Sequence, residues 1–150
     1  MDKAFLVTQL RTRIHEQTEA SLRAADDARA DARTGAQRAL NLAGGLSARS
    51  AAALEARQTV ASFSPRPLKK GEPIGLGALV EVEGDSGGKT LFLAPVGGGT
   101  ELTGPEGDGV FQVVTPQSPL GRAVMGKRVG ASFEVMLAGE PAEFTITWVS

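Results

Sequence analysis

Three carboxylates, Asp26, Asp27 and Asp31, fall within six residues of an alanine- and arginine-rich stretch. Asp27 and Asp31 are one helical turn apart and share a face. Paired carboxylates at an exposed position suit Mg²⁺, which takes oxygen ligands and keeps several waters. The competing use is ordinary: in helical mixtures of Arg, Asp and Glu, such residues form solvated charge pairs. A second stretch, Gly84-Asp85-Ser86-Gly87-Gly88-Lys89-Thr90, imitates a phosphate-binding loop. Its spacing is one residue short, with Glu83 where the first glycine belongs, and it continues into Leu91-Phe92-Leu93. A phosphate loop must open a helix. This continuation reads as a strand, so a hairpin turn is expected there. Gly97-Gly98-Gly99 is likewise expected to be a flexible hairpin loop.

A third stretch, Thr115 to Lys127, combines turn residues, one short helical turn and a glycine stop. Pro116 and Pro119 fix two backbone angles. Ser118 is placed to cap a helix, with Pro119 at its first position, where a missing N–H costs nothing. Gly126 can close that helix. Lys127-Arg128 follows directly, and Lys69-Lys70 and Arg122 are further basic positions. Together these could steer association with an acidic surface.

Composition narrows the chemistry. The chain has 150 residues, no Cys, no Tyr, one Trp and one His. Thiolate metal sites and disulfides are excluded. His15 alone builds neither a histidine metal site nor a catalytic triad, and is expected on a helix surface or seam. The net charge of −1 argues against a general nucleic-acid binder. No run approaches the ~20 apolar residues of a membrane span, and Met1-Asp2-Lys3 does not start like a signal peptide. A cytoplasmic, monomeric protein with no membrane association is expected.

The elements that must position these residues fall into two halves. Residues 1–62 carry nine Lys/Arg and seven Asp/Glu and no proline; residues 63–150 carry seven and ten, and all eight prolines. Leu6, Leu10 and Ile14 mark an apolar helical stripe, with Asp2 as its N-cap. Ala39, Leu42, Leu46, Ala53, Ala56, Val60 and Phe63 follow a seven-residue repeat that Arg49 interrupts. The expected arrangement is an antiparallel coiled-coil hairpin over 1–63. Gly44-Gly45 is the stronger local breaker. A turn at Asp31–Gly35 instead matches the two helix lengths and buries both stripes, and is preferred. Residues 64–75, with Ser64-Pro65-Arg66-Pro67 and Gly71-Glu72-Pro73, read as a linker. Residues 76–150 read as a small α+β domain: about five antiparallel strands, near 79–83, 90–94, 110–114, 132–137 and 143–149, and the short helix after Ser118.

The stretch from Ser118 to Lys127 resembles the signature of Gre-type bacterial transcription elongation factors, in which a Ser-Pro-apolar-small-Arg helix is followed by Gly-Lys. Leu42-Ala43-Gly44-Gly45 and Ala53-Leu54-Glu55 also look like the second hairpin helix of short Gre-like proteins. The resemblance implies an N-terminal coiled coil and a C-terminal FKBP-like domain that docks on RNA polymerase at the rim of its secondary channel. It assigns Gln117, Ser118, Pro119, Leu120, Arg122 and Lys127 to the docking surface. It places Asp26, Asp27 and Asp31 near the hairpin tip, where family members help hold a Mg²⁺ ion shared with the polymerase active site; no cofactor of its own is implied. Nucleic acid would be met only within the transcription complex. The tip departs from the family: it reads Asp26-Asp27-Ala28-Arg29-Ala30-Asp31-Ala32-Arg33-Thr34-Gly35. Arginine repels Mg²⁺ and cannot ligate it. The implied role is an accessory regulator, not an enzyme, with a tip unsuited to stimulating RNA cleavage. Two rival readings are a coiled-coil adaptor without polymerase binding and a prolyl isomerase. The second needs an aromatic-lined pocket, and this half has no Tyr and only Trp148.

Overall fold

The computed structural model describes the backbone of residues 3–32 and 37–150 and the side chains of residues 3–27 and 48–150. The expected N-cap Asp2, the side chains of Asp31, Ala39, Leu42 and Leu46, and Gly35 lie outside the described residues. Two helices, α1 (Lys3–Ala32) and α2 (Gln37–Ala61), precede six strands: β1 (Leu79–Gly84), β2 (Gly87–Leu93), β3 (Glu101–Thr103), β4 (Val110–Val114), β5 (Ser132–Leu137) and β6 (Glu140–Val149). A third helix, α3 (Pro119–Val124), lies between β4 and β5. The protein is therefore α+β. No helix among the described residues is long and apolar enough to cross a membrane.

The chain forms two compact units, residues 9–62 and residues 1–8 with 63–150. In the first, α1 and α2 run antiparallel in a constant register. Arg11 reaches Val60, Thr18 reaches Ala53 and Ser50 reaches Ser21, so each pair of residue numbers sums to 71. α2 is helical through Gly44-Gly45. Glycine lowers helix stability there, and the helix continues through both residues all the same.

The seam is only partly the apolar one that heptad spacing suggests. Leu10, Ile14, Ala25 and Val60 are buried, and so are Thr18 and Ser50. Thr18 Oγ1 donates to Ile14 O at 2.7 Å and lies 3.1 Å from Ala53 O; Ser50 Oγ donates to Ser21 O at 3.0 Å. Small hydroxyl residues let thin helices approach while leaving no polar atom unpaired. Arg11 donates through Nε to Val60 O (3.0 Å) and through Nη2 to Ala61 O (3.1 Å). These are carbonyls of the last turn of α2, which lack helical partners and favour a cation. His15 is exposed on α1.

In the second unit the six strands form one sheet in the order β3-β4-β2-β1-β6-β5. The expected five antiparallel strands are corrected in two ways. β3 is an additional three-residue strand, and β2 pairs with β4 in parallel, Leu91 opposite Gln112 and Leu93 opposite Val114. Gly97–Gly99 is accordingly no hairpin loop. It carries the chain past β4, and β3 then turns back onto β4. The β1–β2 turn is a two-residue hairpin at Asp85-Ser86, with Gly84 opposite Gly87, and not a phosphate loop. Val80, Val82, Leu91, Leu93, Val114, Phe133, Phe144 and Ile146 form the core with Leu120 and Val124 of α3. Leu79 and its partner Phe92 lie on the other face, and Phe63 tilts against Phe92 with ring centroids 6.2 Å apart.

Candidate functional site

α3 is one and a half turns long, too short to be stable alone, and its neighbours hold it. Ser118 caps it as its sequence position implies. Ser118 Oγ accepts from Gly121 N at 3.2 Å and from Thr115 N at 3.1 Å, and donates to Thr115 O at 2.8 Å. Pro119 occupies the first helical turn. Leu120, expected on the docking surface, is 4% exposed and belongs to the core. Gly121 passes so close to Thr115 that a Cβ there would meet its carbonyl oxygen at 1.8 Å. Gly126 follows the helix at φ +77°, a left-handed conformation in which glycine carries no side-chain penalty.

The motif thus divides by role. Ser118, Leu120 and Gly121 hold the helix; Gln117, Pro119 and Arg122 are exposed, and Lys127 is half-buried. Arg122 Nη2 lies 3.4 Å from Gln117 O, so the exposed cation folds back over the turn that precedes the helix.

Beyond α3 the chain is strapped to the segment before β1. Ile74 N donates to Lys127 O and Gly126 N to Ile74 O, both at 2.8 Å. Arg128 Nε donates to Gly71 O at 2.9 Å. Residues 64–75, which read as a linker, are therefore tied to the sheet domain. Glu72 organises this strap: it accepts from both guanidinium nitrogens of Arg66 and, at 2.8 Å, from Lys69 N. The Arg66 hydrogen bond first, and the Lys69 amide second, pull its carboxyl down to about 2. Glu72 in turn raises the Arg66 guanidinium above its ordinary value. Lys3, only 7% exposed, donates through Nζ to Arg66 O and Ser150 O, each at 2.9 Å. Burial, with the Arg66 charge second, lowers its pKa. Sequence reading had no signal for this clasp, because its partners are 63 and 147 residues away.

Asp26 and Asp27 are exposed on α1. No group of three or more His, Asp or Glu side chains among the described residues is arranged to hold a metal ion. The structure does not bring these acids together with the α3 motif in one compact unit: they belong to residues 9–62, the motif to residues 63–150.

No protein-family model matches the chain, and no curated protein matches it. Solved structures do. GreA factor homolog 1 (Gfh1) of Thermus thermophilus is 16% identical, over 96% of this chain and 92% of that one, with a TM-score of 0.39. A structure of the transcription factor Gfh1 is 23% identical over 95% and 90%, with a TM-score of 0.43. Gfh1 of Thermus aquaticus is 16% identical over 92% of each chain, with a TM-score of 0.40. These neighbours are homologs of a Gre factor, the family that the sequence resembles.

Proposed function

We propose that this protein is a Gre-like transcription regulator that binds RNA polymerase, with the sheet domain docking at the rim of the secondary channel and the helical hairpin entering it. The observation that carries the reading is the construction of α3. Ser118, Leu120 and Gly121 of the signature each have a distinct structural duty, and the result presents Gln117, Pro119 and Arg122 on a fixed turn. A signature that arose by chance in a loop would have no reason to satisfy a cap, a core position and a close backbone approach together. Lys127 supplies a further cation to the docking surface. The protein acts as a cytoplasmic monomer and as an accessory factor, not as an enzyme. Any Mg²⁺ near its tip is shared with the polymerase.

Arginines beside Asp26, Asp27 and Asp31 weaken the case for transcript cleavage, so the regulator occupies the channel without promoting hydrolysis. Two-metal phosphodiester cleavage needs ligands that bring a second cation to the reacting water, and positive charge at the same place opposes that. The deciding experiment is RNA cleavage in a backtracked elongation complex, run beside a polymerase-binding control. Binding without faster cleavage is expected. Binding with faster cleavage would reassign the tip as catalytic support, and failure to bind would leave the coiled-coil adaptor as the better reading.

A further inference from the structure

A groove of about 530 Å³ opens between residues 68–72 and the segment after α3. Leu68, Val129 and Val149 line it, and Val129 is 58% exposed. Lys69, Lys70 and Arg128 stand around these apolar side chains. Of the seven Lys and Arg in residues 63–150, six fall in 66–70 or 122–128; Lys89 is the exception. The strap hydrogen bonds bring these two stretches together on a domain whose formal charge is −3, seven cations against ten anions. The one carboxylate lining the groove, Glu72, is already committed to Arg66 and the Lys69 amide. The side chains of Lys69 and Lys70 are exposed and in no ion pair among the described residues. The groove therefore carries net positive charge, Lys69, Lys70 and Arg128 around one carboxylate that Arg66 already pairs, above an apolar floor.

We infer that this groove binds an acidic protein segment anchored by aliphatic side chains. The apolar floor favours a peptide over a nucleic acid, because phosphates would gain nothing from Leu68, Val129 and Val149. An acidic chain with a leucine or isoleucine at its centre fits both halves of the surface: the anchor fills the floor and flanking carboxylates meet Lys69, Lys70 and Arg128. The site is preorganised, since Arg128 is held by Gly71 O and the 68–72 turn by Glu72, so little ordering cost falls on binding. It lies past the C-terminal end of α3, one residue beyond Lys127, whereas Gln117 and Pro119 lie at the N-terminal end of that helix. The inference does not rest on the polymerase reading.

The test titrates the full chain with a synthetic peptide carrying paired leucines between Glu and Asp runs, following amide chemical shifts. A second peptide has serine for leucine, and a single-stranded oligonucleotide serves as phosphate probe. Shifts centred on residues 68–72 and 128–129 are expected, with binding that weakens as salt rises. Lys69→Glu with Lys70→Glu, and separately Val129→Ser, should each weaken the leucine peptide by about tenfold, the equivalent of roughly 1.4 kcal/mol. Neither replaces a side chain that holds the strap, so the remaining spectrum should be unchanged. Equal binding of the serine peptide, tighter binding of the oligonucleotide, shifts elsewhere, or full affinity in both variants would overturn the inference. Because polymerase is absent, failure here is separate from failure of the polymerase reading.

Discussion

The carbonyl oxygen of Thr115 lies 1.8 Å from where a Cβ on Gly121 would be. That contact locks the turn before α3 against its second residue pair, and Ser118 Oγ closes the same loop from the other side. Gly121→Ala must therefore move either the helix or the turn. A destabilisation of about 1–3 kcal/mol is expected, the usual range for forcing extra volume into a packed site. Ser118→Ala removes the cap and should cost about 1 kcal/mol. Pro119→Ala and Arg122→Asp alter exposed positions, so they should leave urea midpoints nearly unchanged while weakening polymerase binding. If the exposed pair lowers stability as much as Gly121→Ala, the division of the motif into holding and presenting residues is wrong.

Local chemistry made α3 readable in the sequence. A cap, an N-terminal proline and a stop glycine act within a few residues, and all three stand where spacing implies. What Gly121 does was not readable, because inside a helix a glycine shows only as a propensity loss; its reason is a backbone contact. Leu120 misled in a related way, since a signature residue can owe its place to the core. The parallel pairing of β2 with β4 was not readable because an unbroken apolar run, Leu91-Phe92-Leu93, gives no partner or direction. Glu101-Leu102-Thr103 offers one apolar residue, too little to mark a strand. In the hairpin, Leu10, Ile14 and Val60 mark the seam in the sequence, but no local pattern marks Thr18 and Ser50, whose burial depends on carbonyl partners on the facing helix.

The Arg11 contact makes a prediction about the end of α2. Arg11→Met keeps most of the apolar stem and removes both donors to Val60 O and Ala61 O. The last turn of α2 then loses its cation and its cap. Stability should fall by about 1 kcal/mol, the upper end of what a surface cation contributes at a helix C-terminus. Amide exchange should accelerate in the last turn of α2 more than in its middle. Uniform acceleration along α2 would show that Arg11 supports the whole pair rather than its end.

Lys3 ties the first turn of α1 to the strap and to the strand end. Lys3→Met fills a similar volume but leaves Arg66 O without that donor, while Ser150 O keeps its bond from Leu79 N. A loss of about 1–3 kcal/mol is expected for breaking a charge-assisted pair of bonds in a half-shielded site. Proteolysis should then cut sooner between residues 63 and 76. An unchanged cleavage pattern with unchanged stability would mean that the strap is held by Gly71, Ile74 and Glu72 alone.

Glu72 gives the strap a definite acid response. Its carboxyl is held at about 2, below an ordinary value of 4.5, chiefly by the Arg66 hydrogen bond and next by the Lys69 amide. A depressed folded-state pKa means that the unfolded chain binds the proton more readily. The stabilisation is thus fully present above pH 4.5 and drains away as pH falls toward about 2. Glu72→Gln removes the titrating group, so wild type and variant should differ most near neutral pH and converge through that window. The size of the difference is limited by solvent screening of an exposed pair. Urea midpoints at neutral pH and at successive steps through the acid window measure it, and amide shifts at Lys69 and Gly71 report the same titration locally. A gap between the two proteins that stays constant with pH would show that Glu72 supports the strap through its shape and hydrogen bonds rather than through its charge.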